Sequence, residues 1–231
     1  MNRRSLPLLL VLTALLLLPR LQGAGQPGYL PAGSPDSIAL LPPPPATGTA
    51  EAAADLATTR TVSQARTSEQ KAEAAAEIKL TIFCFSSAIG PWFQPGRFPK
   101  TEAFFRQIDS DTRAVTDIGK SFFQRPRPYA VDPTIVPLTR EESFSYPSGH
   151  ATRSTVFALV LAELFPARRE ALLRQGRDIG WNRIVAGVHY PADVFSGRVL
   201  GQAIARAMLG NPAFQRDLAE TKTEVAAVQP Q

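Results

Sequence analysis

Histidine and cysteine are among the scarcest residues of this 231-residue chain: two of the first, His150 and His189, and one of the second, Cys84. A lone cysteine excludes an intrachain disulfide, so an exported form must hold together through its packed core. Cys84, in the apolar run Thr81–Phe85, reads as a small buried residue, with no histidine near it in sequence to activate a thiol. Long apolar runs are missing after residue 24. Crossing a bilayer as a helix takes about 20 residues, and Ala151–Phe165 falls short of that. Alternating strand patterns, internal repeats and basic blocks with interleaved aromatics are absent too, which removes a β fold, a solenoid and a nucleic-acid partner from consideration.

Charge of one sign is also lacking once the leader is set aside. Arg3 and Arg4, the run Leu6–Leu18 and the small-residue exit Gln22-Gly23-Ala24 read as a signal peptide over Met1–Ala24. Three of the 25 Lys and Arg lie there and none of the 20 Asp and Glu, so the remainder holds 22 cations against 20 acids, net +2. The whole-chain pI near 9.7 therefore points to no polyanionic partner. The expected location is periplasmic or secreted, with no stable membrane insertion after signal removal. Assembly into a homo-oligomer is left open.

What is present reads as helix. Residues 25–48 form a Pro-rich arm around Pro42–Pro45, extended and polyproline-like. A catalytic all-α domain is expected over 49–220 and a flexible tail over 221–231. Alanine-rich Thr49–Leu80 predicts helix with a break around Thr58–Ser63. From Thr101 a helix should bury Phe104, Ile108, Val115, Ile118 and Phe122, with Asp111 in the stripe as a paired or edge acid. Arg125-Pro126-Arg127-Pro128 stops it. Ser148 is a natural N-cap for a buried helix over Ala151–Phe165. Ala167–Ala186 follows, and a last helix from Pro191 should bury Phe195, Val199, Ala203, Ile204 and Met208. The fold class is all-α, a single-domain helical bundle.

Three clusters carry chemistry. Lys120 precedes Arg127-Pro128 by six intervening residues; Pro147-Ser148-Gly149-His150 opens the buried helix; Asn182-Arg183 leads to His189 and, after three more residues, to Asp193. Three cations converging on a helix N-terminus would neutralise a phosphate and the charge its transfer develops. Asp193 is within reach of one ring nitrogen of His189, fixing the tautomer and freeing the other nitrogen to attack. His150 remains to protonate the leaving alkoxide. No metal or other cofactor is needed for this, and the nearby cations oppose placing one at His150, His189 and Asp193.

In this order and spacing the clusters resemble the signature of the type 2 phosphatidic-acid-phosphatase superfamily, which includes the vanadium haloperoxidases. The chain as a whole looks most like the bacterial class A non-specific acid phosphatases. The resemblance implies Lys120, Arg127 and Arg183 on phosphate oxygens, Ser148 and Gly149 as further donors, His189 as nucleophile, Asp193 as its partner and His150 as general acid. It departs at Asn182, where those enzymes usually have serine, so an amide is expected to stand in for the hydroxyl. The expected substrates are small phosphate monoesters. A lipid phosphatase and a vanadate-dependent haloperoxidase are the alternatives; the first lacks spans here, and the second is typically much larger.

Overall fold

The computed structural model describes residues 28–229; the leader expected over Met1–Ala24 lies outside them. Among the described residues every regular element is helical. The axis of the bundle is α7 (Gly149–Leu164), whose Val156, Phe157, Val160 and Leu161 are all buried. A helix that is apolar nearly all round has no solvent face to offer and goes to the centre. It packs chiefly against α8 (Arg169–Val185) and α9 (Pro191–Leu209), with α5 (Pro99–Phe123) and α10 (Pro212–Val228) beside it.

Two glycines let α9 approach α7. A Cβ on Gly197 would stand 2.6 Å from the Ser148 carbonyl oxygen, and one on Gly201 would stand 2.6 Å from that of Thr152. Gly197→Ala is therefore expected to destabilise the fold by about 1–3 kcal/mol, the usual scale for overpacking, read as a lowered Tm. An unchanged Tm would show that the helices can part.

The N-terminal helices are α1 (Ser37–Leu40), α2 (Ala50–Ala65) and α3 (Ser68–Ala76), and two single-turn helices, α4 (Ser86–Ile89) and α6 (Pro128–Val131), flank α5. The expected break at Thr58–Ser63 is instead at Arg66-Thr67, where Thr67 and Gln70 cap each other reciprocally. Thr58 and Thr59 are helical, their hydroxyls donating to the carbonyls of Ala54 and Asp55, four residues back. The segment before α1 docks through Tyr29, whose ring packs edge-on to Phe104 and Phe214 and whose hydroxyl donates to Asp217 at 2.6 Å. Asp111 is paired: it accepts from the Tyr29 N–H at 2.6 Å and from Gln107 at 2.8 Å.

Three expectations are corrected. On α5 the first half of the stripe is buried, but Ile118 is 40% and Phe122 59% exposed. The buried row continues through Thr112, Thr116 and Lys120, spaced by four from Ile108. Seven-residue stepping drifts about 20° per heptad around a straight helix, and the far half of α5 faces a polar cavity in place of the core. On α9 Phe195 is 63% exposed, because Asp193, Val194, Gly197 and Leu200 take the inner face. The tail expected over 221–231 is helix α10 as far as Val228, with Thr221 and Val225 buried. The Glu224 carboxylate there accepts from the N–H groups of Lys100 and Thr101, at 2.9 and 2.7 Å, and so caps α5.

Candidate active site

Six chain segments meet at a cavity of about 320 Å³ whose wall includes Lys120, Arg127, Gly149, His150 and His189. Lys120 comes from the last turn of α5. Gln124, in the left-handed region at φ 48°, ends that helix and swings Arg125 and Arg127 back toward the bundle. Ser148 caps α7, accepting from the Ala151 N–H at 3.3 Å, which sets Gly149 and His150 as the first turn with their N–H groups directed out of the helix start. Gly187, at φ +73°, turns the chain out of α8 so that His189 precedes α9.

His189 is the centre of the geometry. Its Nδ1 lies 3.1 Å from Asp193 Oδ2 and its Nε2 lies 3.0 Å from Arg127 Nη1. A guanidinium can only donate, so Nε2 must accept and the ring proton sits on Nδ1, donated to Asp193. Burial, with Arg127 and Lys120 adding to it, holds the imidazole well below its ordinary pKa. The ring is thus neutral, and its Nε2 lone pair accepts from Arg127. Asp193 is fully enclosed: its Oδ2 also accepts from the Ser145 hydroxyl at 2.5 Å and from the Tyr190 N–H at 3.0 Å.

The cations differ in how they are held. Arg127 donates to the Val188 carbonyl at 2.9 Å, and to the carbonyl and hydroxyl of Ser143 at 2.9 and 3.1 Å. Lys120 donates to the Phe144 carbonyl, and burial together with Arg127 pulls its pKa down to about 7. Arg183 is 1% exposed and donates from Nη2 to the Ala74 carbonyl at 2.7 Å, with Glu77 at 3.5 Å. Its Nε and Nη1 are buried without any partner. Unpaired buried donors are costly; Arg183 is not itself on the cavity wall, but its charge acts on both His150 and His189.

His150 Nε2 lies 3.1 Å from the Ile78 carbonyl and therefore donates to it. Burial first, then Arg183 and Arg153, pushes the pKa of this ring down to about 3. Ser148 is not on the cavity wall; besides capping α7 it donates its N–H to the Asp193 carbonyl at 3.0 Å. Asn182 turns elsewhere: its amide donates to Glu77 Oε2 at 3.0 Å, and it lines a separate groove beside Trp181. Successive helical residues point about 100° apart, and here Asn182 faces the groove it shares with Trp181 and Glu77. The expectation that Asn182 contacts phosphate is corrected.

Several residues here had no place in the sequence reading. Ser143 and Ser145 lie in a loop whose spacing carries no signal. Arg125 stands in the helix-stopping Arg-Pro-Arg-Pro run, where the sequence alone gives it no further task. Asp55, in an alanine-rich helix, pairs with Arg125 at 2.6 Å across the fold.

The family model for the PAP2 superfamily matches residues 112–216. A non-specific acid phosphatase of Providencia stuartii is 30% identical over 204 residues, 83% of this chain and 81% of that protein. Two solved structures share the fold. A transmembrane PAP2-type phosphatidylglycerolphosphate phosphatase from Bacillus subtilis superposes with TM-score 0.53 at 20% identity, over 75% of this chain and 89% of that one. A bacterial vanadium-dependent iodoperoxidase gives TM-score 0.58 at 17% identity, over 74% of this chain and 52% of that one.

Proposed function

Because the chain belongs to the PAP2 superfamily and to its acid phosphatases, we propose that it hydrolyses small phosphate monoesters through a phosphohistidine at His189, without a metal, after export. The observation that carries this reading is the ring geometry of His189, with Nδ1–H on Asp193 and the Nε2 lone pair beside Arg127. In the first step the ester's own proton passes to His150, the Arg127 N–H moves from Nε2 to a phosphate oxygen, Nε2 attacks phosphorus, the P–O ester bond breaks, and the leaving oxygen takes the proton from His150. The phosphorylated ring carries positive charge, which the Asp193 carboxylate offsets. In the second step water attacks phosphorus and gives its proton back to His150, the P–N bond breaks, and His189 returns neutral. Lys120, Arg127 and the free donors of Arg183 face the equatorial oxygens, where charge accumulates.

No helix among the described residues is long and apolar enough to cross a membrane. The same residues contain no group of three or more His, Cys, Asp and Glu suited to a metal ion, and the cavity's own donors are cations. Turnover is expected to persist in excess chelator; loss of activity restored by a divalent ion would contradict the metal-free reading.

The direction of pH dependence follows from two groups. His150, pushed down to about 3, is unprotonated at mild pH, so the proton it passes to the leaving group is the one the ester monoanion brings. A phosphate monoester gives up that proton at about pH 6. Lys120 binds phosphate only as the ammonium and loses that charge as pH rises through about 7. Both changes act in one direction: kcat/KM should fall as pH climbs from 5 to 8. Esters with a lower second pKa should show the fall earlier. A kcat/KM that rises over this range would overturn the assignment.

A further inference from the structure

We propose that Asp55 and Arg125 are positioning residues for the nucleophile, the outer members of a buried charge row that fixes Asp193 and, through it, the tautomer of His189. The inference rests on the reading of His189 as nucleophile and adds helix α2 to the machinery. Arg125 Nη1 donates to Asp193 Oδ1 at 2.7 Å, and its Nη2 donates to Asp55 Oδ2 at 2.6 Å. Asp55 Oδ1 in turn accepts from the Ala192 N–H at 3.0 Å, in the first turn of α9. The side chains of Asp55, Arg125 and Asp193 are 7, 8 and 0% exposed. The Arg125 guanidinium also lies over the Tyr190 ring, 3.7 Å from its centroid.

Each member of the row has a physical task. Arg125 occupies Oδ1 of Asp193, so Oδ2 alone remains for the His189 Nδ1–H, the Tyr190 N–H and the Ser145 hydroxyl. The carboxylate cannot rotate without breaking four hydrogen bonds. Asp55 balances Arg125; without it a buried, uncompensated guanidinium would draw on Asp193 and weaken its hold on the positively charged ring of the intermediate. Helix α2 grips the same turn a second time, because Thr59 donates to the His189 carbonyl at 3.2 Å. Neither Asp55 nor Arg125 lines the cavity, so their influence passes through Asp193. Asp55 also lies before the span matched by the superfamily model.

The test combines kinetics with the ring nitrogens. The chain has two histidines, so a ¹⁵N spectrum of labelled protein contains four imidazole nitrogens and resolves the tautomer of His189. The wild type should show the proton on Nδ1. Asp55→Asn should lower kcat by about 10–100-fold, the range seen when outer hydrogen-bond partners are lost, with KM changed less than twofold, and should add a population protonated on Nε2. Arg125→Gln should do the same more strongly. The double variant should be no slower than Arg125→Gln alone, because the two act as one unit. Arg125→Lys keeps the charge but not the fork across two carboxylates, so it should fold and still lose kcat. A folded Asp55→Asn or Arg125→Lys protein with wild-type kcat and an unchanged tautomer would overturn the proposal. If His189→Ala remained active, the nucleophile assignment would fail, whereas a tautomer shift in Asp55→Asn would still establish the row.

Discussion

His189→Ala is expected to lose on the order of 10⁴-fold or more in kcat, the scale on which enzymes with covalent mechanisms respond to removal of the nucleophile. The variant should fold. The imidazole is buried but carries no net charge, and its main partners keep other ties: Asp193 retains Arg125, Ser145 and the Tyr190 N–H, and Arg127 retains Val188 and Ser143. Phosphate affinity should survive, since Lys120, Arg127 and Arg183 remain. Binding without turnover is the signature to look for, by calorimetry with inorganic phosphate alongside an assay with a chromogenic ester. A variant that turned over normally would remove the covalent step from the account.

The second large effect is expected at Arg183, and the substitution to make is Arg183→Lys. Alanine would leave Glu77 buried without its cation, a change that costs about 3–5 kcal/mol of stability on its own and would confuse the result. Lysine keeps the charge beside Glu77 but loses the fork. The two buried donors that have no partner, Nε and Nη1, are the ones a lysine cannot replace. The expected outcome is a fall of about 10²–10³ in kcat/KM, the magnitude of losing a preorganised donor to developing charge, with Tm nearly unchanged. Equal activity in the lysine variant would mean that Arg183 is a structural strut between Ala74 and Glu77 and no more.

Much of the cavity could be read in the chain because the chemistry fixes spacing. Ser148 is an N-cap by residue type, so His150 follows in the first turn; a histidine just ahead of Pro191 and an acid four residues later must share the start of α9. Local rules carry that far. They do not carry across the fold, where Asp55 and Arg125 meet from segments 70 residues apart. Nor does amphipathic spacing distinguish a face against apolar core from one against a polar cavity, which is why Ile118 and Phe122 were assigned inward while Thr116 and Lys120 take that side. Asn182 was misplaced by its adjacency to Arg183. The asparagine ends up on Glu77, the carboxylate that also faces Arg183, and its amide is spent there. The titration behaviour of His150 and Lys120 was equally out of reach, because burial and neighbouring cations set it.

The claim on which the account turns is the covalent phosphate on His189, and trapping it is the direct measurement. Wild-type enzyme mixed with ³²P-labelled ester, quenched in alkali within the first turnover and digested, should release one peptide carrying an acid-labile, base-stable label at residue 189. Phosphate on no residue at all, under conditions where the ester is being consumed, would contradict it.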